Sequence, residues 1–212
     1  GNELAMFSYG DLLIKGINIP KDENKGCYYI RKSADKGNSD ACYLYGVLLL
    51  NGTGIEVDKE EAIQYFRMAA KKNNMDALNN LGIMYRKGEG TPINNKKALR
   101  YFQKAADLGC TDAMNSIGLM YEKGEGTDVD YEKAIEYYQK AADKDDPKAL
   151  FNLGNMYKKG EGVEVQVEKS FNLFKKSADL GYDEAMNITG FMYETGEGTK
   201  VNYEKALEYY HN

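Results

Sequence analysis

ALNNLGIMYRKGEGTPINNKKALRYFQKAADLGCTD, residues 77–112, returns in altered form every 36 residues from Ala5 to the end of the chain. Aligned without an insertion, the copies cover 5–40, 41–76, 77–112, 113–148, 149–184 and 185–212, and the last stops after 28 residues. A fixed period of this length marks a stacked array, in which each unit buries its apolar face only against its neighbours. A single repeat domain over residues 5–212 is therefore expected.

Counting each copy from its leading alanine, positions 1, 5, 8 and 9 are apolar: Ala77, Leu81, Met84 and Tyr85, then Ala113, Ile117, Met120 and Tyr121. At 100° per residue these fall on one stripe of a helix, helix A, which Gly88 or Gly124 ends at position 12. A second stripe, Ala98, Tyr101, Phe102, Ala105 and Ala106, and in the next copy Ala134, Tyr137, Tyr138, Ala141 and Ala142, predicts helix B. The fold class is all-α. Asp58, Asn94, Asp130 and Asn202 stand at the expected N-cap of helix B, where a side-chain oxygen satisfies an orphan N–H. Gly37, Gly109 and Gly181 stand where helix B must stop. Pro147 occupies a first turn with Asp146 before it as cap, and Asp40, Asp76, Asp112 and Glu184 bring negative charge to the same turn elsewhere.

Position 6 is glycine in every copy: Gly10, Gly46, Gly82, Gly118, Gly154 and Gly190. A helix-interior glycine costs about 1 kcal/mol relative to alanine. Its recurrence predicts a neighbouring helix close to the backbone there. Ala70, Ala106, Ala142 and Ala178 suggest the same on helix B, with Tyr65, Tyr101, Tyr137 and Tyr209 expected to fill the space opposite. The first copy departs from the pattern at Gly26, where other copies carry mostly alanine, and in its loop Ile17–Pro20. The sixth stops before helix B has run its usual length, so further chain or a partner is expected over its apolar face, and self-association through that end is one such partner.

Composition narrows the function. Net charge is −5 with both signs interspersed, which argues against a nucleic-acid surface. No apolar run approaches a membrane span. Cys27, Cys42 and Cys110 fall at different places in the repeat, so they form no per-repeat disulfide frame. Such a set fits a reducing compartment, and a cytoplasmic location is expected.

The run A-x-x-x-L-G-x-M-Y-x-x-G-x-G followed by (D/N)-x-x-K-A-x-x-Y-(Y/F)-x-K-A-A-D-x-G resembles the Sel-one-like repeat family, a relative of the tetratricopeptide repeat with a longer interhelix loop. The resemblance covers residues 5–212. It implies an α-α superhelix, a solenoid of antiparallel helix pairs with a concave inner face. It also implies a non-enzymatic adaptor or scaffold for other proteins. Some secreted bacterial members carry a cysteine pair in each repeat, a pattern absent here.

No residue set calls for catalysis, a metal or a cofactor. The one histidine, His211, has no convergent partners indicated. The recurring loop Lys87-Gly88-Glu89-Gly90-Thr91 lacks the spacing of a phosphate cradle and reads as a helix C-cap and turn. Glu89, Glu125, Glu161 and Glu197 form a row along one edge and read as solvated surface. What core packing does not require is more informative. On helix A, positions 3, 7 and 10 lie opposite the buried stripe with 4 and 11 beside them. By analogy with tetratricopeptide relatives that side faces the groove. Position 3 carries Phe7, Tyr43, Asn79, Asn115, Phe151 and Asn187, and position 4 adds Asn80 and Asn152. Position 7 carries Ile83, Leu119 and Asn155, and position 11 carries Lys87, Lys123 and Lys159. Asparagine can use donor and acceptor on an extended peptide backbone. The apolar residues would supply pockets, and the lysines would favour an acidic segment or a terminal carboxylate. The competing reading is that curvature packs helix A on helix A and buries the apolar ones. The predicted function is a protein or peptide interaction module, the alternative an architectural spacer or oligomerisation arm.

Overall fold

The computed structural model describes residues 2–211; Asn212, which closes the sixth copy, lies outside them. Among the described residues there are twelve α-helices and no strand. They fall into two compact units. The first holds α1 (Glu3–Lys15), α2 (Glu23–Asp35), α3 (Ser39–Asn51), α4 (Lys59–Ala70), α5 (Met75–Lys87) and α6 (Asn95–Asp107). The second holds α7 (Thr111–Lys123), α8 (Tyr131–Ala142), α9 (Pro147–Lys159), α10 (Val167–Asp179), α11 (Asp183–Thr195) and α12 (Tyr203–His211). Odd-numbered helices are the A helices and even-numbered ones the B helices. Within each unit every A helix pairs with the B helix that follows, and that B helix packs on the next A helix. The chain is an all-α repeat solenoid.

The helix ends form as their residues dictate. Asp58, Asn94, Asp130 and Asn202 accept from the backbone N–H three residues on, at 2.8, 2.9, 2.9 and 3.0 Å. Asn38, Asn74 and Asp146 do the same for α3, α5 and α9. Each A helix then stops at a glycine in the left-handed region, such as Gly88 (φ 74°). Helix B stops at Gly37, Gly109 and Gly181, whose φ values are 89°, 98° and 88°. In the second and fourth copies Asn73 and Asp145 take that place at 59° and 60°, using the two side-chain types that tolerate the left-handed region best after glycine.

The loop between the helices is a closed turn that also ties copies together. The Asn94 N–H donates back to the Tyr85 carbonyl at 2.7 Å, and Asp130 to Tyr121 at 2.9 Å. Ile93 and Val129 fold over Gly88 and Gly124. The second loop glycine meets the preceding copy: a Cβ at Gly90 would lie 2.6 Å from the carbonyl oxygen of Lys59, at the start of α4. The Gly-x-Gly loop is thus a C-cap and a contact between repeats.

The close approach expected at position 6 is made by helix B of the same copy. A Cβ at Gly82 would stand 2.5 Å from the Phe102 ring, and one at Gly118 2.6 Å from the Tyr138 ring. The ring on the glycine is therefore at position 26, not the tyrosine before it. Those earlier tyrosines pack instead on position 9: Tyr85 and Tyr101 stack at 5.5 Å and 6°, and Tyr193 and Tyr209 at 5.8 Å and 19°. In the first copy Ile30 replaces the ring on Gly10, and Ile14 fills the space that a methyl at Gly26 would need. The buried stripe is also wider than positions 1, 5, 8 and 9. Position 2 joins it at Cys42, Leu78, Met114 and Leu150. Cys42 shows why, since its Sγ–H donates to the Ala34 carbonyl of the preceding helix B at 3.4 Å.

Candidate functional site

With position 2 buried, the side of helix A left over by packing centres on position 7 and is flanked by positions 3, 4 and 11. In the first unit Phe7 is half-buried against the core formed by α2 to α5. Tyr43 is half-buried, its ring 6.0 Å from Phe66. Burial raises its phenol pKa above the ordinary value, with nearby Asp76 adding to this and a hydrogen bond from the Asn80 amide working against it. Asn80 thereby links α5 to α3. Asn79 buries its Oδ1 with no hydrogen-bond partner among the described residues. Ile83 is half-buried, and Lys87 is exposed with its ammonium 3.9 Å from Glu89.

The second unit repeats this scheme with different side chains. Asn152 on α9 donates its Nδ2 to Asn115 Oδ1 on α7 at 2.8 Å. Position 3 of one copy is therefore joined to position 4 of the next in both units. Leu119 and Asn155 are half-buried, Lys123 is exposed, and Lys159 is exposed with its ammonium 3.7 Å from Glu161. Phe151 stands against Phe174 at 5.4 Å and Tyr182 at 5.2 Å, so much of its ring is used in packing. On α11, Asn187 is exposed and turns its amide back to the Asp183 carbonyl at 3.3 Å, while Phe191 one turn on is 50% exposed.

Two of the loop glutamates lie in ion pairs that link copies. Glu89 meets Lys59 at 3.2 Å, and Glu197 meets Lys158 at 3.0 Å. These side chains are about a third exposed or more, so each pair contributes at most about 1 kcal/mol. Among the described residues no three His, Cys, Asp or Glu side chains gather as a metal site. No disulfide joins the three cysteines, and all three are buried. Burial, with a smaller push from Glu23, raises Cys27 to about 11. Among the described residues no helix is long and apolar enough to cross a membrane. What the helix-A side offers a ligand is amide donors and acceptors, aliphatic and aromatic surface, and lysines at its end.

Sel1 repeat models match the chain six times, at residues 4–38, 39–74, 76–110, 111–146, 147–182 and 183–211. The chain is similar to a Sel1 repeat protein from Oxalobacter formigenes, with 31% identity over 99% of this chain and 84% of that one, at a TM-score of 0.93. It is also similar to a protective antigen of uropathogenic Escherichia coli strains that displays an SLR fold. There the identity is 30% and the TM-score 0.92, over 100% of this chain and 45% of the antigen. Cysteine rich protein B of Helicobacter pylori is 29% identical over 62% of this chain and 95% of its own, at a TM-score of 0.51. No curated protein matches the chain. Six tandem matches along essentially all of the described residues leave one conclusion: the chain belongs to the Sel1 repeat family.

Proposed function

We propose that the helix-A sides of these repeats bind an extended peptide or partner surface, as a non-enzymatic interaction module. Sel1 repeat proteins are generally protein-interaction scaffolds. The observation that carries the finer reading is the Asn115–Asn152 amide pair. One amide hydrogen bond joins the two side chains, and the remaining donor of one and acceptor of the other suit a peptide backbone. Leu119 lies one turn along α7 from Asn115 and Lys123 one turn further, an order of amide, apolar and cationic groups that fits a strand ending in an acidic group. Each hydrogen bond is worth about 0.5–1.5 kcal/mol net, so affinity depends on several acting together on a preorganised surface.

The test is selection of a random-peptide display library on the purified chain, followed by Kd measurement for the enriched peptides. Asn115→Ala/Asn152→Ala and, separately, Leu119→Asp should each weaken binding at least tenfold while the melting temperature stays within a few degrees. Peptides that bind all three proteins equally would rule out the helix-A side. The spacer or oligomerisation reading draws on the exposed apolar residues of α12, Tyr203 at 66% and Leu207 at 56%. Light scattering that shows a mass rising with concentration, and abolished by Leu207→Glu, would favour it.

A further inference from the structure

A basic, tyrosine-walled cleft lies on the opposite, helix-B side of the first unit, between α4 and α6. It is lined by Arg67, Lys97, Arg100 and Lys104 about the stacked rings of Tyr85 and Tyr101, with a volume near 570 Å³. A smaller hollow of 240 Å³ adjoins it at Lys71 and Leu78. No carboxylate lines either, and no ion pair joins these cations to an acidic side chain among the described residues. Arg67 donates to the Tyr85 hydroxyl, and the Lys97 ammonium sits 5.3 Å from the same ring. Aromatic faces and a phenol hold these cations without neutralising them.

The same place in other copies is neutralised from within. One repeat earlier, Arg31 lies 4.0 Å from Asp35 and 3.7 Å from Glu61, and Tyr65 donates to Asp35 at 2.8 Å. In the second unit Lys175 meets Asp179 at 2.7 Å, and Tyr209 donates to Asp179 at 2.6 Å. Shifted by the period, the counterparts of Asp35 and Glu61 are Lys71 and Lys97. Position 31 is aspartate at 35, 107, 143 and 179, and lysine only at 71. The tyrosine and the arginine remain, while the carboxylate they would share is replaced by a cation. A chain of net charge −5 has thus gathered five cations along two adjoining hollows that no carboxylate lines.

We infer that this cleft is a docking site for an aspartate- and glutamate-rich segment of a partner protein, one carboxylate of which takes the place that Asp35 and Asp179 fill elsewhere. A carboxylate there would accept from the Tyr101 hydroxyl and from Arg67, as Asp35 accepts from Tyr65 beside Arg31. Lys71, Arg100 and Lys104 would meet the acidic residues on either side, and the field of the cluster would speed encounter. Aspartate in the equivalent clefts is the reason for assigning a carboxylate ligand rather than a phosphate. This site shares no residue with the helix-A proposal and stands or falls separately from it.

The experiment is fluorescence anisotropy with three labelled dodecapeptides: one rich in Asp and Glu, its Asn/Gln isostere, and a phosphoserine peptide of equal charge. The acidic peptide should bind, the isostere should not, and affinity should fall as salt rises. Lys71→Asp, which restores the residue of the other copies, should weaken binding at least tenfold, and Arg100→Glu should do likewise. Lys200→Asp changes net charge equally at an exposed loop elsewhere and should have less than a twofold effect. Circular dichroism melts establish that each variant is folded. Equal losses for Lys71→Asp and Lys200→Asp would reduce the effect to overall charge and overturn the proposal. Binding of the phosphopeptide alone would overturn the carboxylate assignment, and no binding of the acidic peptide would overturn the site.

Discussion

Tyr138 on α8 donates its hydroxyl to Glu122 Oε2 on α7 at 2.6 Å, while its ring closes over Gly118. Tyr210 does the same to Glu194 at 2.9 Å over Gly190. Glutamate stands at position 10 only in these two copies. Where position 26 is Phe or Ile, position 10 is Ile14, Leu50, Arg86 or Lys158. A large apolar side chain covers the glycine in every copy, a ring in five of the six, and the hydroxyl is present in only two. Tyr138 is fully buried, so its hydroxyl must find an acceptor, and Glu122 provides it; Tyr210 repeats the pair at a more exposed site.

That dependence can be measured by urea unfolding. Tyr138→Phe should cost about 1.5 kcal/mol, the low end for a bond to a charged group, because Glu122 keeps solvent contact. Glu122→Leu should cost about 2 kcal/mol, since it removes a charged acceptor from the hydroxyl of a fully buried ring. The double variant copies the Leu50–Phe66 pair of the second copy and should recover most of the loss. Simple additivity of the two single changes would mean that the pair is not coupled.

Gly82→Ala tests the helix contact. Alanine would gain about 1 kcal/mol of helix propensity. Its Cβ, however, would lie 2.5 Å from the Phe102 ring, which has no exposed surface into which to retreat. Overpacking should win, with a net loss of about 1–3 kcal/mol. Adding Phe102→Leu should return part of it. A stabilised Gly82→Ala protein would show that the ring can move.

The period placed the helices because caps, stop glycines and apolar spacing all repeat with it: Asp58 and Gly88 act as their residue types require. Three things were not legible in the repeat pattern. Leu78 and Leu150 are buried because the preceding copy of the same unit lies against them, and a helical wheel of one repeat does not contain that neighbour. The ring on Gly82 is Phe102 rather than Tyr101 because of the rotation of helix B about its axis, which stripe positions fix only to within one residue. The bond between Asn115 and Asn152 depends on the offset between adjacent A helices, for which there is no local signal. Lys71 was visible as an exception in its column, but it gained meaning only when α4 and α6 brought Arg67, Lys97 and Tyr101 around it.

The Tyr209–Asp179 bond predicts a two-sided pH dependence. Burial acts to raise the Asp179 pKa, but hydrogen bonds from Lys175 and Tyr209 prevail and hold it below the ordinary carboxylate value. Tyr209 is pushed above the usual phenol range, first by burial and then by its bond to Asp179. The depressed carboxyl contributes stability that is present above its unfolded pKa of about 3.9 and lost as pH falls through the folded value. The raised phenol contributes stability that is present below about pH 10 and lost as pH rises through its folded value. Because the Asp179 side chain is 47% exposed, Tyr209→Phe should cost less than about 1 kcal/mol at neutral pH. Its difference from wild type should shrink below about pH 4 and above about pH 10. A difference constant from acid to alkali would assign the effect to ring packing alone.

The thiols report how the repeats open. Cys27 donates to the Thr53 carbonyl at 2.9 Å, so the loop of the second copy seals it, and Cys42 is raised by burial against α2. The thiolate is the reactive form. With Cys27 raised to about 11, labelling by an aromatic disulfide at pH 8 should be at least a hundredfold slower in the native protein than in guanidinium. Gly54→Ala should change this at one site. The residue is at φ 68° and its Cβ would lie 2.6 Å from the Glu23 carbonyl, so the loop has to lift from the start of α2. Labelling of Cys27, followed by peptide mass spectrometry, should accelerate at least tenfold while Cys110 keeps its wild-type rate. Local release of this kind is expected where each unit touches only its neighbours. Equal acceleration at both cysteines would instead mean that the loop contact governs the opening of the first unit as a whole.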